Sequence, residues 1–83
     1  MRMMADEQEQ YREEFLNLGL MIGYYRRRRQ LSQEALAEQV GISRAYLSRL
    51  EAPNIVSKPA LKTVFALARA LEIPAYKLLK SPD

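Results

Sequence analysis

The chain has 83 residues, 48% of them hydrophobic and 28% charged, which is one domain's worth of sequence with apolar material for a single small core. It contains neither cysteine nor histidine, which excludes disulfides, thiolate chemistry, the commonest general base and the usual zinc ligands. A formal net charge of +3 favours anionic partners, and no pair of titratable groups converges on a pocket, so the reading is non-enzymatic, without metal or cofactor.

The charge is unevenly placed. Residues 1–14 hold two arginines against five acids, residues 15–23 carry no charge, and residues 24–49 hold six arginines against two acids. The stretch 15–25, FLNLGLMIGYY, is too short to span a bilayer. The residues before it are acidic, the reverse of a secretory signal. A soluble cytoplasmic protein with no membrane partner is the expectation.

In chain order, Tyr11, Phe15, Leu18, Ile22 and Tyr25 recur at spacings of four, three, four and three, marking the apolar stripe of a first helix over about 8–29. Gly19 and Gly23 weaken it and allow close packing or a bend. Acids near its start and arginines at its end suit the helix dipole. Met1, Met3 and Met4 read as a terminus, not as a binding surface.

Two helix starts then repeat eleven residues apart. Leu31-Ser32 with Leu36, and Ile42-Ser43 with Leu47, each set an apolar residue before a serine cap and another at the fourth helical position. They predict a second helix over 33–40 and a third over 44–52, with Gly41 closing the corner between them. Residues 53–59, PNIVSKP, read as a loop. A fourth helix beginning near Pro59 has its stripe at Leu61, Val64, Phe65, Ala68 and Leu71, and a fifth covers 74–79.

At about 100° per residue, Leu47 and Leu50 of the third helix face the core, while Ala45, Ser48, Arg49 and Ala52 lie roughly opposite and Arg44 leans forward. Small residues flanked by arginines let a helix sink into a DNA major groove, where arginine is a bidentate donor to guanine. Taken alone such a face is more often merely solvated. The capped helix and glycine corner before it reverse that weighting.

These residues carry a resemblance. Leu31-Ser32-Gln33-Glu34-Ala35-Leu36-Ala37, Val40-Gly41-Ile42-Ser43 and Tyr46-Leu47-Ser48-Arg49-Leu50-Glu51, followed by Pro59-Ala60-Leu61, Leu67-Ala68, Ala70-Leu71 and Ile73-Pro74, resemble the Cro/C1-type helix-turn-helix domain of phage repressors and their bacterial relatives. The resemblance covers residues 20–79 and implies an all-α, five-helix, lambda-repressor-like DNA-binding domain over 15–83 with its helix-turn-helix at 32–52. Residues 1–14 are an acidic arm or an extension of the first helix, with no counterpart in the minimal domain.

By position, the resemblance implies base reading by Arg44, Ala45, Ser48 and Arg49. It implies phosphate contact or buttressing by Gln33, with Ser43 within reach of bases or phosphates. Tyr46 is a phosphate donor or a packing residue, and Ala37 is the small residue that lets two helices approach. Arg26 and Glu51 match a structural salt bridge, the alternative for Arg26 being a phosphate contact. Of Arg27, Arg28 and Arg29, two flank the duplex or all are a solvated helix end, with Arg27 and Arg28 as the candidates. Ile73, Tyr76, Leu78 and Leu79 are the dimer candidates, with monomer core the favoured role for Ile73 and Leu78.

The implied function is sequence-specific double-stranded DNA binding by a homodimeric transcriptional regulator, a repressor, with no small-molecule effector. The alternatives are a restriction–modification controller or antitoxin of the same fold, or a protein-interaction module, against which Arg44 and Arg49 argue. The chain departs from the family pattern at Gln30, where glycine is usual, and after Glu51, where Ala52-Pro53-Asn54 replaces Asn-Gly in a longer loop.

Overall fold

A computed structural model describes residues 11–80. Five helices follow in order, α1 (Arg12–Arg28), α2 (Gln33–Val40), α3 (Arg44–Glu51), α4 (Leu61–Leu71) and α5 (Tyr76–Leu79), with no strand among the described residues. The expected first turn of α1 before Tyr11, the three N-terminal methionines and most of the acidic arm lie outside the described residues.

All five helices contribute to one core. Ile22, Leu36, Leu47, Leu67, Leu71 and Leu78 are its fully buried side chains, and Leu18, Met21, Ala37, Leu50, Val64 and Ala68 complete it. Each buried leucine or isoleucine contributes about 1.5–3 kcal/mol relative to exposure. α1 packs on α3, α4 and α5, and α2 packs on α3 and α4. None of the described helices is long and apolar enough to cross a membrane.

Two apolar stripes differ from expectation. In α1, Leu18 and Ile22 are buried, but Tyr11 is 48% exposed, and Met21 joins the core in its place. In α4, Leu61 and Phe65 point outward, at 61% and 54% exposure, while Leu67 is fully buried. Apolar residues fill eight of the eleven α4 positions, so two overlapping stripes are available and packing against α2 and α1 selects one. α4 starts at Leu61 after Ala60, and α5 at Tyr76 after Ala75, each slightly later than the prolines suggest.

Three helices end on a left-handed residue. Gly41 closes α2 at φ 85°, Gln30 follows α1 at φ 58°, and Glu72 follows α4 at φ 60°. Behind each, the next N–H reaches five residues back, Leu31 to Arg26, Ile42 to Ala37 and Ile73 to Ala68, the bond of a Schellman turn. Gln30, where the resemblance expects glycine, thus takes a left-handed conformation. Gly19 has a different purpose: a Cβ there would collide with the Leu50 carbonyl, so its absence lets α1 lie directly on the end of α3. The result is close packing, with α1 a single continuous helix.

Candidate nucleic-acid interface

α3 is held from both ends and from one side. The Ser43 hydroxyl accepts the Tyr46 N–H at 3.0 Å, capping the helix, as Ser32 accepts from Ala35 at the start of α2. Leu47 and Leu50 are buried beneath it, and Ala37, 2% exposed, is the small residue of α2 that the corner needs. Ser43, Arg44, Ala45 and Arg49 are left exposed, while Tyr46 and Ser48 are half-buried. Ser48 therefore does not stand fully on the free face with Ala45 and Arg49, because its position on the helix leans toward the packed side.

The Arg49 guanidinium lies 5.8 Å from the centre of the Tyr46 ring. Such stacking contributes about 0.5–1 kcal/mol at an exposed site and restrains the direction in which the arginine reaches. The three-residue separation of Tyr46 and Arg49 is the sequence signal for it.

The far end of α3 is tied down by a polar clamp. Arg26 donates from Nε to Glu51 Oε2 at 2.8 Å and from Nη2 to Oε1 at 3.0 Å, and its Nη1 reaches the Leu31 carbonyl at 2.8 Å. Gln33 Nε2 donates to the same Glu51 Oε1 at 3.0 Å. Three helices thereby meet at one carboxylate, α1, the first turn of α2 and the last turn of α3, and the Arg26 guanidinium also holds the turn after α1. The Arg26 and Glu51 side chains are only 12% and 7% accessible, so the pair is a partly buried, bidentate one, the geometry in which arginine–carboxylate pairs are strongest. Gly23 borders the clamp, and a Cβ there would stand 3.2 Å from Glu51 Oε1.

The other arginines at the end of α1 are exposed. Arg28 Nη1 donates to the Tyr24 hydroxyl at 3.0 Å, and that bond raises its pKa above the ordinary arginine value. Arg29 stands 3.4 Å from Glu72, an open surface pair. In the 53–60 loop, Lys58 lies 5.8 Å over the Phe15 ring. No group of His, Cys, Asp and Glu side chains able to hold a metal ion occurs among the described residues.

The dimer candidates separate by burial. Leu78 is fully buried in the monomer core and is withdrawn as an interface residue. Ile73 is half-buried and packs against that core. Tyr76 and Leu79 are 63% and 61% exposed.

The sequence matches the family described as Helix-turn-helix over residues 22–78. Among solved structures, the chain is similar to one titled as a hypothetical transcription factor, NHTF, from Neisseria, with 33% identity and a TM-score of 0.76, covering 83% of this chain and 77% of that one. No curated protein matches.

Proposed function

The chain belongs to the helix-turn-helix family, and from that premise we propose that it is a small transcriptional regulator, a repressor, that binds a specific double-stranded DNA site as a homodimer. In this reading α3 enters the major groove. Arg44 and Arg49 donate to base edges, Ala45 allows close approach, and Ser48 reaches from the side. Gln33, Ser43, Tyr46, Arg27 and Arg28 meet phosphates or support those that do, contacts that position the protein without reading sequence.

The observation that carries the reading is the exposed Arg44-Ala45-Arg49 face on a helix whose placement is fixed by the Arg26–Glu51–Gln33 clamp. A preformed cationic face of this kind meets duplex DNA without first ordering itself. Two-fold pairing follows from information: one short helix reads few base pairs, and a dimer reads two half-sites about 34–36 Å apart.

The test is selection of the full chain on random duplexes at fixed salt. Enrichment of an inverted repeat is expected, with Arg44→Ala and Arg49→Ala each weakening the selected site by about 1–3 kcal/mol and relaxing preference at one base position. Arg28→Ala is expected to weaken all sequences alike and to flatten the salt dependence. Absence of any enriched sequence, or indifference of the selected site to both α3 substitutions, overturns the reading.

A further inference from the structure

Several arginines of the chain have their guanidinium donors engaged within the protein. Arg26 uses all three of its nitrogens in the clamp, Arg28 donates to the Tyr24 hydroxyl, and Arg29 faces Glu72. Arg49 is held in a different way. Its guanidinium lies 5.8 Å over the Tyr46 ring, inside the distance of about 6 Å at which a cation is drawn to a ring face. Among the described residues it forms no side-chain hydrogen bond and no ion pair. Stacking occupies the face of a guanidinium and leaves the N–H groups, which lie in its plane, free to donate. The platform beneath it is fixed twice. The Tyr46 N–H is bound to the Ser43 hydroxyl at 3.0 Å, and the half-buried side chain packs against the core. Arg44, the other arginine of the free face, is exposed and lies over no aromatic ring among the described residues.

We propose that Tyr46 is a positioning residue for base reading, aiming the Arg49 fork and thereby setting how strictly one base pair is recognised. The inference rests on the DNA-binding reading above and gives Tyr46 a role toward a base reader instead of a phosphate. The physical argument is one of ordering. A flexible arginine loses rotamer freedom when it closes a bidentate pair with guanine, whereas over a wrong base it stays mobile and escapes that cost. Ordering the side chain beforehand removes the cost at the correct site and gives the wrong one no benefit. It also denies Arg49 the other directions in which it would find acceptors on a wrong base. Both effects widen the gap between right and wrong bases without adding a contact to DNA. Arg44 has no such support, so the base pair that Arg49 reads is discriminated more strictly than the one Arg44 reads.

The test is selection of the full chain and its variants on random duplexes at fixed salt, with Arg44→Ala and Arg49→Ala identifying the base position that each arginine reads. Tyr46→Leu keeps an apolar side chain against the core and removes the ring face. It is expected to lower discrimination at the Arg49 position about two- to fivefold and to leave the Arg44 position as it is. Tyr46→Phe keeps the ring face without the hydroxyl and is expected to keep that discrimination. In the Arg49→Ala background, Tyr46→Leu is expected to change no base preference, which separates positioning from a general loosening of α3. In the wild-type chain without DNA, the ring is expected to displace the Arg49 Cδ proton resonances upfield, a signal that depends on the folding of no variant. Resonances at the values of the unfolded chain overturn the proposal. So does a site that depends on Arg49 yet keeps its base preference in Tyr46→Leu, even where all sequences weaken together, and that result leaves DNA reading standing. Equal loss of discrimination in Tyr46→Phe assigns the effect to the hydroxyl and overturns it as well. The absence of any enriched sequence removes DNA reading and the role of Tyr46 with it.

Discussion

The α2–α3 corner and the frame of α1, α4 and α5 are built by different means. Both helices of the corner begin at a serine whose hydroxyl accepts a backbone N–H, and α2 ends on glycine. None of the frame helices has a side-chain cap, and α1 and α4 close on Gln30 and Glu72, residues that take the left-handed conformation at a cost. The corner is specified locally, almost residue by residue. The frame is specified by what it buries. The contrast suits the proposed division of labour, since the helix that meets DNA needs its own shape fixed while the rest supplies a place to stand.

The two regions share one core, and breaking the polar clamp that also joins them gives the largest effect. Arg26→Met leaves the partly buried Glu51 carboxylate with Gln33 as its remaining side-chain donor. A loss of about 3 kcal/mol in urea unfolding is expected, because an unpaired charge is left desolvated. Pairing it with Glu51→Leu removes that charge and is expected to recover part of the loss. If the double variant is no more stable than the single, the clamp does not act as a charge pair. Gly19→Ala attacks the other junction. Its new methyl group meets the Leu50 backbone carbonyl, which cannot rotate away, so about 2–3 kcal/mol is expected from overpacking. Unchanged stability means that α1 and α3 slide past each other freely.

Smaller changes sharpen the contrast between capped and uncapped starts. Ser43→Ala is expected to destabilise by about 1 kcal/mol through loss of the bond to the Tyr46 N–H. Ala60 occupies the corresponding place before α4 with an extended backbone, φ −62° and ψ 149°, and no side-chain cap bond. Ala60→Ser is therefore expected to stabilise by up to about 1 kcal/mol. Thermal unfolding of the two variants side by side checks both signs.

The same contrast governs what the sequence made legible. Caps and corners are short-range, so Ser32, Gly41 and Ser43 announced their helices by type and spacing alone. The α4 stripe was legible only in part: Val64, Ala68 and Leu71 are buried as expected but Leu61 and Phe65 are not, since a helix apolar at eight of eleven positions gives no unique face. Leu78 was expected in the monomer core and is fully buried there, although the four residues of α5 are too few to carry a period of their own. At the candidate site, Arg44, Ala45 and Arg49 came from helix geometry, whereas Arg26 and Glu51 were matched only through resemblance. The Gln33–Glu51 bond spans eighteen residues of sequence, beyond any local pattern. The placement of Arg49 over Tyr46 is of the other kind, since a three-residue separation on one helix is a local pattern.

The smallest expected effect tests the price of using a non-glycine residue to close a helix. Gln30 sits at φ 58°, where a Cβ crowds the following carbonyl by roughly 1–2 kcal/mol, whereas glycine enters that region freely but loses about 0.5–1 kcal/mol of additional chain entropy on folding. The difference favours Gln30→Gly by about 0.5 kcal/mol, and no buried contact opposes it because Gln30 is exposed. Gly41→Ala is the mirror experiment. Nothing lies within 4 Å of a Cβ at that position, so its expected loss is conformational, from φ 85° alone. Opposite signs in the two unfolding curves place the penalty in the backbone. A loss from both means that the left-handed turn after α1 is held by something other than its φ, whereas a gain from both means that the Gly41 corner carries no backbone penalty; either result shows that the end of α1 is not the counterpart of that corner.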